Sequence, residues 1–137
     1  MTIERAVKHG YEDLTILERV LQLHGQFRRS LEPLRVTPLQ AGVILFLRRH
    51  ADANVTDAAT VLGVSQATLS RTVITLVRKQ WVAKRRSAKD DRVVALSLSR
   101  RMNALALQIN QRVRQMNATL TEQDRKALGM TPEGRRA

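Results

Sequence analysis

The feature that most constrains this chain is a change of hydrophobic period between residues 56 and 98. Up to Gln80 the apolar positions recur every three or four residues, and after Trp81 they recur every two. Thr56 is expected to cap a short helix whose Ala58, Ala59 and Leu62 allow close packing, and Gly63 to stop it. Ser65 then caps a second helix that carries Leu69, Val73, Leu76, Val77 and Gln80 on one side. Two helices joined by "LGVS" read as a helix-turn-helix. Val82, Ala83 and Lys84 lead into "KRRSAKDDR" at 84–92, after which Val94, Leu96 and Leu98 alternate with the small Ala95 and Ser97. That is a β-hairpin with a charged tip. The fold class expected is mainly α with a small β-hairpin wing.

The flanks are helical. Leu14, Leu17, Leu21, His24, Phe27 or Arg28, and Leu31 give a long amphipathic helix over 11–31, with Gly10 separating a short segment that holds Ile3, Ala6 and Val7. Pro33 ends it, and "TPLQ" starts the next helix. Thr37 suits the N-cap, Pro38 the first helical position and Gln40 the capping box; Leu39, Val43, Phe46 and Leu47 give its buried face. Ser99 is expected to cap a last long helix through Met102, Leu105, Ile109, Val113, Met116 and Leu120, and "TEQD" at 121–124 a short one ended by Gly129 and Pro132. The organisation expected is an N-terminal helix in 1–35, a winged helix-turn-helix lobe in 36–99 and C-terminal helices in 100–137.

Charge placement narrows the partner. The net charge is +12, and residues 71–101 hold ten Lys/Arg against Asp90 and Asp91, which is +8. Two thirds of the excess thus lies in under a quarter of the chain, which points to a polyanion. A membrane surface fits poorly, because no amphipathic helix joins this charge to Trp or Phe. No segment approaches the ~18 apolar residues of a span, the first residues lack the apolar run of a signal peptide, and Cys is absent. The expectation is a cytoplasmic protein.

With one side of the second helix buried, the other presents Gln66, Ala67, Thr68, Arg71, Thr72 and Thr75. In a major groove Arg71 can donate twice to guanine, Thr68 can bond several bases and Ala67 can meet a thymine methyl. Ser65 and the free N–H groups of the first turn suit a phosphate. A solvated polar face is the bland alternative, but residues 58–89 contain no carboxylate, which favours double-stranded DNA. In the hairpin, Lys84, Arg85 and Arg86 suit phosphates. Asp90, two residues before Arg92, can hold its guanidinium for insertion into a narrow minor groove. The alternative is that the tip is merely solvated.

"VTPLQAGVILFLRRH", "GVSQATLSRTV" and "DDRVVALSLS" together resemble the MarR-type winged helix-turn-helix regulators over about residues 11–128, and Asp90, Arg92, Leu98 and Ser99 match that family's wing signature. The resemblance implies a homodimer with interlocked terminal helices. Its recognition helices (65–80) would read a pseudo-palindromic operator, with the wings (82–98) in the minor groove. The dimer candidates are Leu14, Leu17, Leu21, Leu105, Ile109, Val113, Met116 and Leu120. It also implies release of DNA, often by a small aromatic or phenolic acid. Tyr11, Arg19, His24, Arg28 and His50 are candidates to line that cleft, against the reading that they are ordinary helix-surface residues. The chain departs from the family pattern in three places. Gln80 stands where a helix-ending Gly is common, Met102 replaces a frequent Gly, and the last helix is short.

His9, His24 and His50 are scattered, so no metal or other cofactor is expected. Trp81 is expected to pack the hairpin base. No Ser/His/Asp grouping, phosphate loop or buried carboxylate pair is readable, which argues against an enzyme. The function expected is sequence-specific transcriptional regulation, with repression the favoured mode. The rival is a winged-helix module for non-specific nucleic-acid or protein interaction, which would bind without sequence preference.

Overall fold

The computed structural model describes residues 15–87, 90 and 92–130. Tyr11, Leu14, the segment before Gly10, and Pro132 lie outside them. Helix α1 runs Ile16–Leu31, its start set by Thr15, which is extended and closes a capping box with Glu18; the first part of the helix expected over 11–31 lies outside the described residues. A 3₁₀ turn, Glu32–Leu34, leads through Arg35 to α2 at Pro38–Arg49. Its start is as read: the Thr37 hydroxyl accepts from Gln40 N–H and the Gln40 side chain accepts from Thr37 N–H.

Helix α3, Val55–Leu62, is capped by Asn54 and not by Thr56. Asn54 Oδ1 accepts from Asp57 N–H at 2.7 Å. The neighbouring Ala53 carbonyl is tied to Leu96 N–H at 2.7 Å, so the chain enters the helix two residues earlier than expected. Gly63 closes α3 at φ 69, where a side chain would be strained. The chain then turns by 115° into α4, Gln66–Arg78, capped by Ser65. Leu69, Val73 and Leu76 of α4 are fully buried.

Strands β1 (Val82–Arg86) and β2 (Val94–Leu98) form an antiparallel hairpin from the pair Val82 and Leu98 to the pair Arg86 and Val94. Ala53 adds an isolated antiparallel bridge to Leu96, at the middle of β2. The expected alternation holds at Leu96 but fails at Val94, which lies near the tip and is half exposed, while Ala95 is buried. Ser99 does not cap a helix through its side chain. A 3₁₀ turn, Arg100–Met102, intervenes before α5 at Asn103–Ala118. Thr121 and Asp124 then box α6, Glu122–Ala127, and Gly129 follows at φ 72.

Two cores share α2. Val43, Phe46 and Leu47 face the helix-turn-helix core with Leu69, Val73, Leu76 and Leu96. Ala41 and Ile44 face a second core with Leu31, Val36, Ala106 and Ile109. Reading α2 as one-sided therefore missed Ile44, fully buried on its other flank. Trp81 packs at the hairpin base, as expected, and touches both cores together with Leu98. Burying each large aliphatic side chain contributes about 1.5–3 kcal/mol, which fixes α4 and the wing relative to the terminal helices. Among the described residues no single helix is long and apolar enough to cross a membrane.

Candidate nucleic-acid interface

The solvent face of α4 carries Gln66, Ala67 and Arg71, with Thr68, Thr72 and Thr75 half-buried at its flank. Ser65 is committed to the cap: its hydroxyl accepts from Thr68 N–H at 3.1 Å and donates to the Thr68 hydroxyl at 2.9 Å. Thr72 donates to Thr68 O and Thr75 donates to Arg71 O, so both offer acceptor lone pairs outward. Arg71 is therefore the strong outward donor of the set. Ile74 and Arg78, three and seven residues beyond it, share its exposed face. The sequence reading missed both, although their spacing from Arg71 is helical.

Gln80 ends α4 at φ 63, the left-handed conformation that a Gly at this place would adopt without strain. Gln80 N–H donates to Val77 O and Trp81 N–H to Leu76 O, each at 2.9 Å, which is a Schellman closure. Its side chain is exposed and does not join the buried side with Leu69 and Val73, because the turn has left the helical path. Arg101 donates to Lys79 O at 2.7 Å and Ser99 donates to Gln80 O at 2.8 Å, supplying the donors that those last carbonyls lack. Lys79 Nζ stands 4.6 Å from the centre of the Trp81 ring.

In the wing, Lys84, Arg85 and Arg86 are exposed on β1. Asp90 does brace Arg92: Oδ1 accepts from Arg92 N–H at 3.0 Å and from Nε at 3.1 Å, and Oδ2 from Nη2 at 3.3 Å. These bonds, the guanidinium's first and the backbone's second, hold the Asp90 carboxyl below the ordinary carboxylate range. The Arg92 side chain remains 87% exposed, so it is oriented without being covered.

The expected ligand set does not converge. Arg19 is buried, and Nε and Nη2 donate to both oxygens of Asp124 at 2.9 and 2.7 Å. It also donates to Gln22. Its guanidinium is thus committed inside the protein instead of to a ligand carboxylate. His24 and Arg28 are exposed on α1, whereas His50 stacks against Phe46 at the end of α2, with ring centres 4.7 Å apart. Tyr11 lies outside the described residues. No three His, Asp or Glu side chains gather to hold a metal ion among the described residues.

Of the dimer candidates, Leu17 and Leu21 are exposed, and Ile16 and Val20 beside them extend an apolar strip that the sequence reading does not include. Ile109 is fully buried in the monomer's second core, with Leu105 and Val113 packed against it. These three serve the fold of one chain, because α5 turns this side to α1 and α2. Met116 and Leu120 are half-buried, and Leu14 lies outside the described residues.

Residues 36–93, the helix-turn-helix and most of the wing, match the model of the MarR family. That lobe is of the MarR type. A mutant form of MarR from Escherichia coli in complex with operator DNA is 25% identical at TM-score 0.66, over 79% of this chain and 81% of that one. MepR of S. aureus, in a DNA complex, has 21% identity and TM-score 0.71, covering 85% and 92%. BpsR of Bordetella bronchiseptica, whose DNA binding is regulated by 6-hydroxynicotinic acid, has 22% identity and TM-score 0.68, covering 93% and 91%. No match was found among the curated proteins. Members of this MarR-type class are DNA-binding regulators and not enzymes.

Proposed function

We propose that this MarR-type chain is a homodimeric, sequence-specific repressor acting in the cytoplasm on a pseudo-palindromic operator. The observation that carries the reading is the exposed Arg92 held by Asp90 on a basic wing, in the same lobe as a recognition helix with no acid on its face. Arg71 reads a base in the major groove, Thr68 and Thr72 offer acceptors to base amino groups, and Gln66 and Ala67 complete the surface. With Ser65 capping Thr68, the first N–H groups of α4 are left for a phosphate, Lys84, Arg85 and Arg86 track the backbone, and Arg92 reads minor-groove shape.

The dimer reading rests on Ile16, Leu17, Val20 and Leu21, an apolar strip that a monomer with net charge +12 leaves in water. In this reading segments 1–35 and 100–137 build the dimer around lobe 36–99. Release by a small aromatic acid, by analogy with BpsR, is best served by the hollow of about 250 Å³ beside Leu45, Arg48, Arg49 and Asn110. Its two guanidinium groups suit a carboxylate.

Selection of bound sequences from a random duplex pool at near-physiological salt tests the reading. Enrichment of a two-fold motif with half-sites about one helical turn apart is expected. Retention without a motif would refute it in favour of non-specific or protein-directed binding.

A further inference from the structure

We propose that Asp52, in the loop between α2 and α3, is a positioning residue for the wing and sets how well Arg92 discriminates operator from other DNA. The inference rests on the regulator reading above. It starts from a backbone oddity: Asp52 sits at φ 67 without being glycine. Asp tolerates this region better than most residues, but it is sparsely used and needs support from its surroundings.

The support comes from the wing, 35 residues away. Asp52 Oδ2 accepts from the Ser87 hydroxyl at 2.8 Å, and Oδ1 faces Arg85 Nη2 at 3.9 Å. The Asp52 side chain is only 18% exposed, so the Ser87 bond is sheltered, while the Arg85 pair, 58% exposed on the arginine side, is weak. The next residue, Ala53, accepts from Leu96 N–H at 2.7 Å. The loop therefore grips both strands: β2 through backbone, and the end of β1 through the Asp52 carboxylate.

From Ser87 the contacts run on to the reader. Ser87 N–H donates to Val93 O at 2.8 Å, Val93 N–H donates to Asp90 O at 3.0 Å, and Asp90 holds Arg92. A two-stranded ribbon has little intrinsic stiffness. Its tip direction depends on what the ribbon is fastened to along its length. Here the tip-side end of β1 is held by the Asp52 carboxylate, fixed on the loop that leaves α2, the helix shared by both cores.

Three substitutions separate the side chain's roles. Asp52→Gly keeps the left-handed backbone without strain and removes the acceptor. Asp52→Asn removes the same charge but keeps an oxygen for Ser87. Arg92→Ala removes the reader. Dissociation constants are measured for the selected operator and for a random duplex of equal length, together with Tm. Asp52→Gly is expected to reduce the operator-to-random affinity ratio by about tenfold, and Asp52→Asn by less than about threefold. In an Arg92→Ala background Asp52→Gly should change the ratio no further, because both act through the same guanidinium.

A merely structural role predicts a lowered Tm and equal losses on both duplexes, and that result overturns the proposal. So does additivity of Asp52→Gly with Arg92→Ala, or an Asp52→Asn protein that behaves like Asp52→Gly. If the unmodified protein itself shows no preference for operator, the regulator reading falls and this inference with it. If it shows the preference and Asp52→Gly retains it, only the inference falls.

Discussion

Replacing Arg19 by Met keeps most of the apolar stem and removes the guanidinium, which isolates the ion pair between the terminal helices. Both partners are well covered, Arg19 at 7% and Asp124 at 6% side-chain exposure, and the contact is bidentate. Removing one member of such a pair in a deep interior costs about 3–5 kcal/mol, because the survivor is left charged and unpaired. Asp124 lies at the edge of the fold and keeps its bond from Thr121 N–H, so about 2–3 kcal/mol is expected here. Acid behaviour gives a second handle. The bonds from Arg19, ahead of the Thr121 contacts, lower the Asp124 pKa from 3.8 to about 2. That difference corresponds to about 2.5 kcal/mol, reduced to roughly 1–2 kcal/mol by solvent screening. Since the folded value is the lower one, the contribution is complete above the unfolded value of 3.8 and disappears as pH falls toward 2. Urea unfolding at fixed protein concentration should show the full gap between Arg19→Met and the unmodified protein near neutrality, and a smaller one in acid. The double variant Arg19→Met/Asp124→Leu should recover part of the loss: no charge is stranded, but Thr121 N–H loses its acceptor at the start of α6. A gap below about 0.5 kcal/mol near neutrality, or one that does not shrink in acid, refutes the reasoning.

Arg71→Ala should cost about 1–3 kcal/mol on operator and relax sequence preference at one position per half-site; an equal loss on random DNA in a titration would reassign it to phosphate. Gln80→Gly should raise stability by about 0.5–1 kcal/mol in thermal unfolding, because relief of left-handed strain outweighs the added unfolded-state freedom. Leu17→Glu with Leu21→Glu should shift the protein to monomer in sedimentation and weaken operator binding while leaving the helical signal intact. Unchanged sedimentation would place the dimer contact elsewhere.

The architecture was readable wherever local chemistry and the global fold agree. Thr37 with Pro38 and Gln40, Gly63 and Ser65 each satisfy helix ends through neighbours in sequence, so their roles survive in the structure. The same is true of the Asp90–Arg92 brace, a contact two residues long. What was not readable depends on distant partners. Nothing near Arg19 announces Asp124, 105 residues away, and so the sequence offers a buried structural arginine as a ligand candidate. Asn54 displaced Thr56 as cap because Ala53 is bound to Leu96. Ile109 carries the same periodic signal whether its stripe faces a partner chain or the chain's own α1 and α2, and only the packing decides.

The bonds from Arg101 to Lys79 O and from Ser99 to Gln80 O have a consequence for the geometry of target sites. They rivet the exit of the reading helix to the entry of the long C-terminal one, so the reading helix has little freedom to pivot on its own. In a dimer joined through its terminal helices, the distance and angle between the two reading helices are then inherited from the joint. Each base pair inserted between half-sites displaces the second by ~3.4 Å and rotates it by ~34°. A riveted pair cannot follow both movements. Operators for this protein should therefore tolerate changes of letter far better than changes of spacing.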